Sequence, residues 1–177
     1  MLIISENLKA LVEQYDVCKQ ALVDEFSIKI KLGNKFHSPL PSENSVVYGS
    51  HPDPVTLFSK IDAINQNLTL NPGARYIACT QDIYNIPIDY FGLIQTKGTL
   101  ARLFVAITCN DGQVEPGFCG YVTLEILNHS PWTVDLPVGS EIGQMYLFKC
   151  STSANNPYKG RYAEASRLGP TLPIFSE

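Results

Sequence analysis

The chain has 177 residues, 45% of them apolar and only 17% charged, with a formal net charge of −4. That length suits one domain able to bury roughly two-thirds of its unfolded surface, and the charged share falls below the usual figure of about 25%. An acidic balance argues against a general nucleic-acid or membrane-surface binder, and neither a signal-peptide pattern nor an apolar run of about 18 residues appears.

Residues 1–24 read as an N-terminal helical segment. Ser5 is placed to act as an N-cap, and Leu8, Leu11, Val12 and Tyr15 recur at helical spacing. After Asp24 the period becomes two: Phe26, Ile28, Ile30 and Leu32 alternate with Ser27, Lys29 and Lys31, and Gly33-Asn34 is expected to end the strand. Residues 37–54 carry Pro39, Pro41, Pro52 and Pro54 among Ser, Asn and Gly, which predicts a long loop.

Short strands are then predicted over 68–70, 75–81, 90–95, 101–109, 120–128, 133–136 and 143–150. Pro/Gly turns at 71–73, 86–88, 115–117 and 137–139 punctuate them. This pattern predicts a mainly β fold, a sandwich or jelly roll, not an α/β sheet. From Ser151 periodicity is lost and an irregular C-terminal arm follows. Lys149, Lys159, Arg161 and Arg167 give that end a basic bias suited to a small polyanion. The low charged share points to some surface being covered by another subunit.

Several chemistries are disfavoured. The five cysteines, Cys18, Cys79, Cys109, Cys119 and Cys150, have no Cys-x-x-Cys spacing. They read as small core residues of a reduced, cytoplasmic protein. His37, His51 and His129 are isolated in loop-like sequence, without His-x-Glu or His-x-x-x-His patterns, so no zinc site is expected. No nucleophile elbow, phosphate-binding loop or dinucleotide fingerprint is present. An enzyme built on this chain works with carboxylates, hydroxyls and cations.

Residues 97–128 concentrate those groups. If 120–128 is a strand, Tyr121, Thr123, Glu125 and Leu127 share one face, and Val122, Leu124, Ile126 and Asn128 the other. Glu125 then stands among apolar neighbours, where a carboxylate is either a solvent-facing strand residue or a general base. Arg102, expected on a strand face with Phe104, Ala106 and Thr108, reads either as a surface or interface cation or as a fixed charge beside phosphate. Lys97-Gly98-Thr99 offers a cation, backbone amides and a hydroxyl, in what is otherwise simply a turn.

The segment resembles the dCTP deaminase branch of the dUTPase-like superfamily. The resemblance rests on Gly98-Thr99-Leu100-Ala101-Arg102, Glu115-Pro116-Gly117-Phe118-Cys119-Gly120 and Leu124-Glu125-Ile126-Leu127-Asn128 in ungapped order. Leu32-Gly33-Asn34-Lys35-Phe36, Asn71-Pro72-Gly73, Ile86-Pro87, Ile142-Gly143-Gln144-Met145 and Gly169-Pro170-Thr171 extend it over almost the whole chain.

This resemblance implies a distorted jelly roll with an N-terminal helix and a C-terminal arm, assembled as a homotrimer with sites between subunits. The substrate would be a deoxynucleoside triphosphate with Mg2+ on its phosphates and no zinc; nucleic acid and membrane are not implied as partners. Glu125 would activate water, Arg102 would orient the site and Thr99 would assist. Lys97, Gly98, Gln113, Glu115, Gln144, Tyr162 and Thr171 would contact the nucleotide.

The chain also departs from the family pattern. Gly98 stands where a serine is expected, Thr99 where a second serine is, and Glu115 in place of Asp. Asp111 and Gln113 occupy positions expected to be small and often basic, and the arm motif is loosened between Tyr162 and Gly169. Losing one hydroxyl is worth a few kcal/mol of transition-state stabilisation. Three readings follow: a dCTP deaminase forming dUTP and ammonia, a dUTP pyrophosphatase or bifunctional enzyme, and a catalytically silent nucleotide-binding protein.

Overall fold

The structure is a computed structural model and describes residues 1–43, 45–49 and 54–175; His51 and Pro52 lie outside these. Helix α1 (Ser5–Tyr15) buries Leu8, Leu11 and Val12 against the sheet. Ser5 does not cap it. Ile4 holds the N-cap position, and the Ser5 hydroxyl donates to the Glu25 carboxylate instead. The helix stops at Asp16, whose left-handed backbone (φ 49°) lets its N–H bond back to the Val12 carbonyl.

Ten strands follow among the described residues: β1 (Ile28–Pro39), β2 (Phe58–Ile61), β3 (Asn67–Leu70), β4 (Arg75–Asn85), β5 (Tyr90–Thr96), β6 (Val105–Ala106), β7 (Gln113–Val114), β8 (Cys119–Asn128), β9 (Val134–Pro137) and β10 (Glu141–Lys149). One curled antiparallel sheet runs in the order β6-β8-β4-β1-β10-β5-β7, with β2 added to β1; β3 and β9 form a separate pair. The mainly β expectation therefore holds, and the sheet wraps a core that includes Phe36, Tyr84, Ile94, Leu124 and Met145.

Gly33-Asn34 does not end β1. The strand continues to Pro39, pairing first with β10 and then, beyond a register shift, with β4 and β2. Glycine permits the bend: a Cβ at Gly33 would stand 2.7 Å from the Cys79 carbonyl oxygen, so the two backbones approach as closely as they do only without a side chain. The predicted loop over 37–54 accordingly begins later, after Pro39. Phe26 is exposed and Ser27 buried, so the strand pattern starts at Ile28.

The predicted strand over 101–109 is largely absent. A single helical turn, α2 (Gly98–Ala101), leads through Arg102 to Phe104; Val105 and Ala106 form a two-residue strand on β8, and Thr108 adds one isolated parallel bridge to it. Phe104 adopts φ 57°, a left-handed conformation that breaks any extended run through it. Asn128 closes β8 from a fully buried position. Its Nδ2 donates to the carbonyls of Leu70 (2.8 Å) and Trp132 (2.7 Å), and its Oδ1 accepts from the Ser130 amide (2.9 Å) and hydroxyl (2.7 Å). One side chain thus ties β3 and the 130–132 turn to the end of β8.

Candidate active site

Strand β8 alternates as its sequence predicts. Val122, Leu124, Ile126 and Asn128 are buried, while Tyr121, Thr123, Glu125 and Leu127 are half-buried on the other face. Register with β4 sets Glu125 opposite Ile77, and a parallel bridge links it to Thr108. The Glu125 carboxylate accepts a hydrogen bond from the Asn110 amide at 3.0 Å, and its backbone carbonyl accepts from the Cys109 amide at 3.1 Å. The 108–110 segment therefore fixes both ends of this residue.

Glu125 lies where two clefts meet. One, of about 470 Å³, also holds Gln113, Glu115, Tyr162 and Thr171, four of the residues singled out for the nucleotide. The other, of about 700 Å³, is lined by Arg75, Cys109, Asn110 and His129 among others. The first cleft is roofed by the C-terminal arm. The Thr171 amide donates to Thr123 Oγ1 at 2.9 Å, the two hydroxyls stand 2.9 Å apart, and Arg161 Nη1 donates to the Ile174 carbonyl at 2.6 Å. The Pro116-Gly117 turn, with Gly117 at φ 89°, supports the arm from below: the Tyr158 amide donates to the Pro116 carbonyl and its ring packs on Phe118 with centroids 5.9 Å apart. Burial there pushes the Tyr158 phenol up from its ordinary pKa, and the nearby Glu115 carboxylate adds to this.

The 97–102 residues stand elsewhere. Lys97 and Thr99 line a third cleft of about 390 Å³ with Ser140 and Glu141. Lys97 Nζ donates to Glu141 Oε2 at 2.8 Å, and Lys29 Nζ reaches Oε1 of the same carboxylate at 3.2 Å. The Lys97 hydrogen bond is the main reason that the Glu141 carboxyl lies below its ordinary pKa.

Arg102 is not on a strand face with Phe104, Ala106 and Thr108. It is exposed at the end of α2, and it lines neither cleft that contains Glu125. Gln144, on β10 opposite Lys29 and Gln95, also lines neither; its Oε1 accepts from the Tyr146 hydroxyl at 3.2 Å.

Within one chain, then, Glu125, Gln113, Glu115, Tyr162 and Thr171 come together, while Lys97, Gly98, Thr99, Arg102 and Gln144 do not join them. Thr123 and Glu141 were missed as contributors. Thr123 could have been suspected from its shared face with Glu125; no local signal marks Glu141.

Cys18 and Cys79 are buried as expected, but Cys109 and Cys119 are exposed, so the reading of all five as core residues fails. His37 lies on β1, not in a loop, and His129 is exposed just beyond β8. Among the described residues, no group of three or more His, Cys, Asp or Glu side chains is placed to hold a metal ion. No described helix is long and apolar enough to cross a membrane.

A curled antiparallel sheet with a carboxylate cleft under a C-terminal arm defines the class: a mainly β fold built around an acidic cleft. Its fold matches the 2′-deoxycytidine 5′-triphosphate deaminase of Agrobacterium tumefaciens with a TM-score of 0.62 at 21% identity, over 82% of this chain and 47% of that one. A family model described as dCTP deaminase-like matches residues 3–150, and the chain belongs to that family.

Relatives named "dCTP deaminase, dUMP-forming" include one from Streptomyces griseus, 35% identical over 107 residues, which are 60% of this chain and 56% of that protein. Another, from Mycolicibacterium smegmatis, is 30% identical over 160 residues, 85% of this chain and 82% of that one. The chain thus spans little more than half the length of the Streptomyces relative and about half that of the Agrobacterium protein.

Proposed function

We propose that the protein deaminates dCTP, with Glu125 as the general base. The observation that carries this is the half-buried Glu125 carboxylate, held by the Asn110 amide, facing a cleft shared with Gln113, Glu115, Tyr162 and Thr171. Glu125 takes a proton from water as its oxygen adds to C4 of the cytosine ring. It returns that proton to the ring nitrogen and assists transfer of another to the departing amine, so that dCTP and water become dUTP and ammonia. Magnesium belongs to the substrate, carried on the triphosphate. Zinc has no part in this reading.

The phosphates are assigned to the second group of residues, Lys97, Gly98 and Thr99, with Arg102 orienting the site. These stand outside the Glu125 clefts of their own chain, which favours a site completed by a second copy. A homotrimer is the assembly proposed. Five free thiols suit a reducing, cytoplasmic setting.

A second reading has a specific observation in its favour. Relatives carry the words dUMP-forming in their names, and Glu115 lines the same cleft as Glu125. In a bifunctional enzyme Glu115 would activate water against the α-phosphate, releasing pyrophosphate after deamination.

Incubation of the purified protein with magnesium and dCTP, with products separated by anion exchange, distinguishes the readings. Ammonia with dUTP supports deamination alone; ammonia with dUMP and pyrophosphate supports the bifunctional enzyme. Binding without turnover sinks both. Glu125→Gln is expected to lower ammonia release by at least about a hundredfold, the scale of a lost general base, with an unchanged elution volume. Wild-type turnover in that variant would overturn the assignment.

A further inference from the structure

The C-terminal arm touches β8 at two places whose side chains have no explanation in the strand itself. At Gly120 a Cβ would stand 2.4 Å from Ser166 Oγ and 2.9 Å from its Cβ, although the strand backbone there is ordinary and tolerates any residue. Ser166 fills that gap, is 2% exposed, and donates its hydroxyl hydrogen bond within the arm to the Ala163 carbonyl. Three residues further along, Thr123 holds Thr171 through the arm's backbone amide and through its hydroxyl, both at 2.9 Å. A third anchor lies on β1, where Lys35 donates to the Leu168 carbonyl.

We propose that Gly120 and Thr123 form a docking strip for the arm of their own chain, and that Thr123 is a positioning residue for the Glu125 cleft. Thr123 and Glu125 are two residues apart on one face of one strand, roughly 7 Å along it. Whatever fixes Thr171 on Thr123 therefore fixes the distance between the arm and the carboxylate. Through this contact Tyr162 and the 171–173 segment are seated opposite Glu125 rather than left to sample the solvent. An aliphatic residue at 123 would keep the strand's β propensity and lose both hydrogen bonds. A residue larger than glycine at 120 would expel Ser166 and lift the arm. The kinetic consequences rest on the deaminase reading above; the docking itself does not.

The two hydrogen bonds are unequal, and this gives the test its asymmetry. Thr123→Val removes both, whereas Thr171→Val removes only the hydroxyl pair and leaves the backbone amide on Thr123. In the full-length protein with magnesium and dCTP, limited proteolysis within 151–175 should speed up about tenfold in Thr123→Val and about threefold in Thr171→Val, the scale of two and one modest hydrogen bonds. The double variant should match Thr123→Val alone, because the contacts are shared. Thr123→Ser should restore protection, and Gly120→Ala should expose the arm.

In kinetics, Thr123→Val should raise KM for dCTP by a similar factor. Additive effects in the double variant, or wild-type protease protection in Thr123→Val, would overturn the docking strip. A loss of turnover with the arm still protected would overturn the positioning role. A wild-type protein that releases no ammonia would sink the deaminase reading while the proteolysis series still judged the strip.

Discussion

The guanidinium of Arg102 folds back so that its Nη1 donates to the carbonyl of Gly98 at 2.9 Å. Glycine leaves room for it, since a Cβ at position 98 would stand 3.0 Å from that same nitrogen. The residue that lacks the expected hydroxyl thus also gives the neighbouring cation its resting place. Gly98→Ser would both supply a hydroxyl and push the flexible end of Arg102 outward by a few tenths of an ångström. We expect this variant to raise deamination by about tenfold or more, given what a single well-placed donor contributes. Steady-state ammonia release at saturating dCTP checks it; an unchanged or lower rate would show that the hydroxyl does not limit the protein.

Glu141 links Lys29 and Lys97 across the start of β10. Its carboxyl titrates below the ordinary glutamate range, chiefly because it accepts from Lys97. A depressed carboxylate stabilises the fold above its unfolded pKa, and that contribution disappears as pH falls through the lower folded value. Thermal stability should therefore fall more steeply below about pH 4.5 in the wild-type protein than in Glu141→Gln. Parallel slopes for the two proteins between pH 6 and pH 3.5 would contradict the assignment.

Asn128 resembles a site residue by its place in the Leu-Glu-Ile-Leu-Asn run, yet its amide is spent entirely on the backbone of two turns and on Ser130. Replacing it with Ala leaves several buried carbonyl and amide groups without partners, each costing about 1–3 kcal/mol. Asn128→Ala is expected to lose at least about 3 kcal/mol in urea unfolding. Loss of less than about 1 kcal/mol would mean that water or rearrangement replaces those bonds.

The cysteines should separate by reactivity. Burial pushes the Cys18 thiol up to about 12 and the Cys79 thiol up to about 11, whereas Cys109 and Cys119 are exposed. Alkylation at pH 8 followed by peptide mapping should find Cys109 and Cys119 modified first, with Cys18 and Cys79 protected until denaturation. Because Cys109 lines a cleft with Glu125, saturating dCTP should slow its modification selectively.

The amino-acid sequence by itself determined the mainly β class, the faces of β8 and the end of regular structure near Ser151. Each of these is written in alternation or in its loss, which follows from the two-residue period of a strand. The order of motifs along the chain was enough to name the family and to single out Glu125, Glu115, Gln113, Tyr162 and Thr171. What local pattern could not decide was where the chain bends. Gly33 looks like a strand breaker but serves close backbone approach, and Phe104 takes a left-handed conformation no propensity predicts, which removed the strand expected to carry Arg102. Only the tertiary structure separated Lys97, Thr99 and Arg102 from the Glu125 cleft. It alone brought Thr123 to Thr171 and Lys97 to Glu141, across 48 and 44 residues of sequence. Contacts of that span depend on how the curled sheet closes, and a linear chain carries no local trace of them.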